Sequence, residues 1–126
     1  MSAALRCFWV ERDGPVWIRK DTGETLPHPT QFGPGALYDA GWLREGDLVP
    51  MYKTYGDNMV ITVVTPDGPW VIDGPGYTKE RGHYPCPWTR TGDPRNPVTF
   101  SVQPSIKMGD PETYHAVLTN GVLNAC

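Results

Sequence analysis

A chain of 126 residues carrying a net charge of −3 is long enough for one domain with a real core and too short for two comfortable ones. Fourteen Gly and fourteen Pro argue against long helices, while five Trp and six Tyr argue against simple disorder. Acidic residues exceed basic ones and no run of Lys or Arg occurs, so the electrostatic footprint of a duplex nucleic-acid binder is missing.

No stretch approaches the roughly 20 apolar residues needed to span a bilayer, and the opening MSAALRCFWVERDG has neither the charged start nor the long apolar middle of a signal peptide. No membrane partner is expected, and the expected location is the cytoplasm of the cell that makes the protein. Cys7, Cys86 and Cys126 cannot all pair within one chain and none lies in a close C-x-x-C couple, so free thiols are expected.

In chain order, Arg6 to Glu11 and Val16 to Lys20 read as strands joined near Asp13-Gly14-Pro15, and Ala36 to Tyr38 as a third short strand after Gly33-Pro34-Gly35. Trp42 to Val49 has room for one helical turn. Met59 to Thr65 is β-branched, Pro66-Asp67-Gly68 supplies turn chemistry and Trp70 to Ile72 resumes the apolar character, which together make a hairpin. Both faces of its first strand are apolar, which suits the middle of a fold.

Between Asp73 and Thr99 the chain carries GPGYTKERGHYPCPWTRTGDPRNP, a long irregular segment of the kind that is usually functional or mobile. VTFSVQPSI, residues 98 to 106, alternates, with Val98, Phe100 and Val102 on one side and Thr99, Ser101 and Gln103 on the other. Pro104 has no amide hydrogen to donate and should end the ladder or sit at a sheet edge. Residues 105 to 112 then turn through Gly109-Asp110-Pro111.

The closing TYHAVLTNGVLNAC holds Asn120-Gly121 between two apolar runs, a two-residue type I′ hairpin. That turn pairs Thr119 with Val122, Leu118 with Leu123, Val117 with Asn124, Ala116 with Ala125 and His115 with Cys126. Tyr114, Ala116, Leu118, Leu123 and Ala125 then face inward, and His115, Thr119, Asn124 and Cys126 share the other face. The expectation is a single all-β domain over residues 1–126: a compact sandwich or rolled sheet of about seven to nine short antiparallel strands with long loops.

The pieces TPDGPWVIDG, PWTRTGDPRNPVTF, PSI and YHAVLTNGVL follow one another across roughly residues 34 to 123. In that order they resemble small uncharacterised proteins encoded by bacteriophages of actinobacteria, in which a TPGG-W-ID stretch, a Trp followed by an Arg and a glycine turn, an SI piece and a YHGFL-x-NG ending recur. A more distant likeness is to a bacterial family of unknown function found near ubiquitin-like conjugation genes. Its Cys-rich pieces suggest zinc, but this chain lacks the Cys-x-Cys-Gly-Cys piece and has Thr113 where that family has a cysteine before its closing pair. Neither resemblance implies an activity; the first implies a viral protein working in an infected cell.

Three chemistries compete for the polar residues. His83-x-x-Cys86 together with His115 and Cys126 has the ligand types of a tetrahedral zinc site. Cys86 with a histidine, or Ser105 with His115 and Asp110, has the types for nucleophile, base and orienter, without a nucleophile elbow to frame them. Trp70, Tyr77, Tyr84 and Trp88 bracket Lys79, Arg81 and Arg90, offering flat faces and cations for an anion. The favoured reading is binding without catalysis and without a cofactor: His83, Trp88, Arg90, Ser105 and His115 form a ligand site, with Trp88 stacking, Arg90 pairing an anion and His115 exchanging a proton. The protein is then a noncatalytic phage accessory protein of the host cytoplasm that binds a host protein or a small anionic, nucleotide-like ligand, with counter-defence as its purpose. A virion-associated structural protein is the alternative, and a small zinc- or thiol-dependent enzyme the second.

Overall fold

The computed structural model describes residues 4–109 and 112–126. Among them are thirteen strands: β1 (Ala4–Arg6), β2 (Phe8–Asp13), β3 (Val16–Arg19), β4 (Thr25–Leu26), β5 (Ala36–Asp39), β6 (Ile61–Thr65), β7 (Gly68–Val71), β8 (Gly76–Thr78), β9 (Gly82–Tyr84), β10 (Thr89–Thr91), β11 (Ser101–Met108), β12 (Tyr114–Thr119) and β13 (Val122–Ala125). Helical structure there is confined to short 3₁₀ turns, two of them (Gly41–Glu45 and Val49–Met51) covering the segment expected to hold a helical turn. The fold is all-β, with more strands than the seven to nine expected. The surplus consists of two- and three-residue strands, too short to show a period of two in sequence.

The strands form a five-stranded sheet in the order β1-β13-β12-β11-β10, a six-stranded sheet in the order β4-β3-β2-β5-β6-β7, and a separate ribbon β8-β9. Pairing is antiparallel except between β2 and β5, which run parallel. Inward residues of both sheets meet in one core: Trp9, Leu37, Ile61 and Val63 from the larger sheet against Val102, Ile106, Leu118 and Leu123 from the smaller. A second cluster, built on Val10, Trp17, Phe32, Ala36 and Tyr38, covers the other face of the larger sheet. This is why β6 is apolar on both faces. Each large aliphatic or aromatic side chain so buried contributes roughly 1.5–3 kcal/mol.

Residues expected to form one strand, Arg6 to Glu11, split at Cys7. Arg6 ends β1 in one sheet, Phe8 begins β2 in the other, and the Cys7 N–H donates to the Gly121 carbonyl at 2.7 Å. The closing hairpin pairs in the register read from the sequence, Ala116 with Ala125 through Thr119 with Val122, and the Cys126 N–H donates to the His115 carbonyl at 2.8 Å. Asn120 and Gly121 have φ of +49° and +78°, the left-handed pair that a type I′ turn requires. Gly121 is needed twice, because a Cβ there would also stand 2.4 Å from the Pro97 carbonyl oxygen.

The alternation read over 98–106 fails at its start. Pro97–Thr99 is a 3₁₀ turn that leaves Val98 63% exposed, whereas Phe100 and Val102 are buried. Nor does Pro104 end its strand. β11 runs on to Met108, and its register against β12 shifts between Val102 and Ile106, which accommodates a residue with no N–H for the ladder. Past Gln103 the partner on the other side, β10, has already ended.

Candidate functional site

The shifted stretch of β11 and the loop that follows β7 together build a groove. Beyond the shift, Lys107 pairs with His115 and Ile106 with Ala116. Ile106 and Ala116 point into the core, so Ser105, Lys107 and His115 lie on the outer face. There the Ser105 Oγ and His115 Nε2 are 2.7 Å apart. The other ring nitrogen, Nδ1, faces a Glu112 carboxylate oxygen at 3.7 Å. Either partner can donate in the Ser105–His115 bond, according to which imidazole nitrogen carries the proton. The Trp88 indole N–H donates to the Ser105 carbonyl at 3.2 Å, which ties the loop to the strand.

The opposite wall is aromatic. Trp70 and Trp88 meet edge to face at 4.5 Å between ring centroids. Tyr77 on β8 is 55% exposed and tilted against His83 of β9 at 5.0 Å. Arg81 covers the Tyr84 ring at 4.3 Å. Gly76 makes this ribbon possible, since a Cβ there would stand 2.3 Å from the Tyr84 ring. The groove between the walls has a volume of about 630 Å³ and is lined by Trp70, Tyr77, Trp88, Ser105, Lys107 and Glu112, among others, a size and mixture suited to a small ligand.

Of the five residues expected to form the ligand site, the structure brings three together: Trp88, Ser105 and His115. His83 supports Tyr77 from the ribbon. Arg90 is elsewhere in role. It is 6% exposed, and its guanidinium donates to Asp73 at 2.9 Å and to both Asp57 carboxylate oxygens at 3.1 and 2.9 Å. The Tyr55 ring lies 4.1 Å from it, and the Tyr55 hydroxyl accepts the Arg90 backbone N–H at 3.0 Å. Asp73 also accepts from the Ile61 N–H at 2.8 Å. Arg90 therefore fastens β10 to the loop before β6 and to the end of β7, and the anion it pairs with is the chain's own. Burial pushes the Asp73 carboxyl up, against the pull of Ile61 N–H and Arg90. At the less enclosed Asp57 burial acts in the same sense, but bonds from Met59 N–H and Arg90 outweigh it and hold the carboxyl below its usual range.

The four residues of the expected zinc set are not gathered. His83 lies against Tyr77, His115 is engaged by Ser105, and the Cys86 thiol turns inward to donate to the Ile72 carbonyl at 3.3 Å. Among the described residues no three or more His, Cys, Asp or Glu side chains come together as a metal centre. All three cysteines are free thiols. Asp110, expected as the third member of a Ser105–His115 set, lies outside the described residues; among those described, Glu112 stands beside His115. Glu112 precedes His115 by three residues across a turn, a spacing the sequence displays without saying that the turn would bring the two together. No helix among the described residues is long and apolar enough to cross a membrane.

Compared with family models, curated proteins and solved structures, the chain matches none of them. Function must therefore be argued from the chemistry of its own surfaces.

Proposed function

We propose that the groove between the β8–β9 ribbon and the shifted stretch of β11 binds a small planar, hydroxyl-bearing molecule of the nucleoside type, and that the protein acts by holding this ligand. The observation that carries the reading is Ser105, bonded to Trp88 through its carbonyl and to His115 through its hydroxyl, set beside aromatic faces in the lining of a groove of about 630 Å³. Aromatic walls supply contact area at little entropic cost, and a few fixed polar groups orient the ligand. Lys107 in the lining is balanced by Glu80 and Glu112, and with Arg90 committed elsewhere the groove favours an uncharged ring over an anion. In keeping with the resemblance to actinobacteriophage proteins, the setting of this reading is an infected bacterial cell, with a host metabolite or signal as ligand.

Thermal denaturation against a panel of nucleosides, bases and sugars tests it. A ligand that binds the folded state raises Tm with concentration. Trp70→Ala and Ser105→Ala should each weaken the response, Ser105→Ala by a few-fold to about tenfold for one lost hydrogen bond. A panel that leaves Tm unmoved, or a response both variants retain in full, rejects the groove.

A second reading is favoured by one specific observation, the sequence of partners Ser105 Oγ, His115 Nε2, His115 Nδ1 and the Glu112 carboxylate. In that reading Ser105 Oγ attacks an acyl carbonyl as His115 takes its proton. The leaving group departs with that proton, and water frees the acyl group. Treatment with a fluorophosphonate followed by mass spectrometry decides it: a phosphonyl adduct on Ser105 supports the hydrolase, and an unmodified serine leaves the binding reading.

A further inference from the structure

A second surface has the opposite electrical character. Where the chain crosses from β1 to β2, a cleft of about 470 Å³ is lined by Arg6, Lys20 and Arg95, with Asp21 its one carboxylate. Asp21 is already held by Arg19, at 2.6 and 3.0 Å through two parallel bonds. Among the described residues no carboxylate lies within ion-pairing distance of Arg6, Lys20 or Arg95. The Arg95 guanidinium makes one weak contact, to the Met59 sulfur at 3.5 Å, and lies 6.0 Å over the Trp9 ring, which leaves most of its donors unspent. Three cations lining one cleft, in a chain whose net charge is −3, form a local concentration of positive potential.

The rest of the lining is apolar. Phe8, Pro97 and Val122 form the wall, with Val98 63% exposed at the rim. Trp9 and Arg95 also line an adjoining cleft of about 510 Å³ that holds Trp42, itself 48% exposed. The Trp9 indole N–H is buried without an acceptor. Acidic residues belong to that adjoining side, but two of them are engaged within the fold: Asp39 by the Val60 N–H and Asp57 by Arg90.

We propose that this cleft binds the phosphate of a small phosphate monoester whose organic part is a flat heterocycle, a nucleoside monophosphate. Arg6, Lys20 and Arg95 take the phosphate, and the Pro97–Val98 wall takes the ring. Forked guanidinium donors match phosphate oxygens in geometry as well as charge. The site is independent of the aromatic groove and stands whether or not that groove binds anything.

Isothermal titration of the intact chain with a nucleoside monophosphate, the matching uncharged nucleoside and inorganic phosphate tests the assignment. The monophosphate should bind, weaken as salt is raised, and lose roughly tenfold or more in affinity in Arg95→Gln, one charge-assisted contact. Arg6→Gln and Lys20→Gln should weaken it in the same direction, while Ser105→Ala leaves it unchanged. Arg6 and Lys20 are solvent-facing side chains, so those two variants keep the test open if Arg95→Gln fails to fold. Equal affinity for the uncharged nucleoside overturns the phosphate assignment. Equal affinity for inorganic phosphate overturns the nucleotide assignment, and retention of binding by all three charge variants overturns the site.

Discussion

Arg90 and Arg95 stand five residues apart in one aromatic, proline-rich segment, yet they serve opposite ends. Arg90 is sealed between Asp57 and Asp73 beneath the Tyr55 ring, and Arg95 opens on a cleft whose lining carboxylate, Asp21, is held by Arg19, with no ion pair of its own among the described residues. A buried cation must be paired within the fold, because an uncompensated charge in a low-dielectric interior costs more than most folds can spare. Which arginine is free to bind is therefore decided by which carboxylates the topology delivers to it. Asp57 and Asp73 lie 33 and 17 residues from Arg90 in sequence, so no local pattern shows the pairing.

The contrast is broken most severely at Arg90. Arg90→Ala leaves Asp73 buried without its cation and should cost about 3–5 kcal/mol, seen as a large fall in the denaturant midpoint at pH 7. Arg95→Ala removes no paired charge and should stay within about 0.5 kcal/mol of the parent. Equal losses in the two variants would show that the ion pairs do not hold β10 in place.

The legible parts of the fold are those where a turn motif and a strand period agree. Asn120-Gly121 sets the closing register residue by residue, and Pro66-Asp67 closes β6 onto β7 with Thr65 opposite Gly68. The first half was readable in outline, with β2, β3 and β5 near their expected places, but the switch of sheets at Cys7 is a tertiary event without a local signal. Val98 misled because an apolar residue alternating with its neighbours looks inward until Pro97 fixes a turn. At the site, Ser105 and His115 meet diagonally across the β11–β12 pair, where His115 stands opposite Lys107 beyond a register shift that no local pattern shows. Trp88 joins them through a backbone carbonyl, a contact open to any residue type and so invisible in sequence. Arg6, Lys20 and Arg95 come from three distant segments, and only the fold unites them.

The groove side is sharpened by Gly76→Ala. The added methyl would overlap the Tyr84 ring, so the ribbon must shift at a cost of typically 1–3 kcal/mol. Groove binding should fall with it, while nucleotide binding in the Arg95 cleft stays at the parental level. Loss of both activities together would join the two surfaces into one site.

A smaller effect separates the two regions by pH. Asp57 is held below the usual carboxylate range in the fold, so the unfolded chain binds more protons than the folded one around its ordinary value of about 3.9. Its contribution to stability is complete above that value and is lost as pH falls through the lower, folded one. Asp73, pushed up by burial, works in the opposite sense, since its share falls as pH rises toward its raised value. Asp57→Asn should therefore be destabilised most at neutral pH, and the gap in Tm from the parent should narrow below about pH 4. A gap that stays constant from pH 7 to 3 would show that the Asp57 charge plays no part in the Arg90 cluster.

The mildest probe leaves the chain unaltered. Cys7 lines the Arg95 cleft yet is itself buried, and burial pushes its thiol up to about 12. Cys86, behind the groove and half-buried, is raised for the same first reason, burial, and Cys126 is exposed. Thiolates, not thiols, attack disulfide reagents, so at pH 8 an aromatic disulfide should modify Cys126 first, Cys86 more slowly and Cys7 only as the fold opens. Cys126→Ser should abolish the fast phase alone. A nucleoside monophosphate bound at Arg6, Lys20 and Arg95 stabilises the closed state around Cys7 and should slow its modification, leaving the Cys126 rate as it was. A Cys7 rate indifferent to that ligand would move the nucleotide away from the corner where the two sheets exchange the chain.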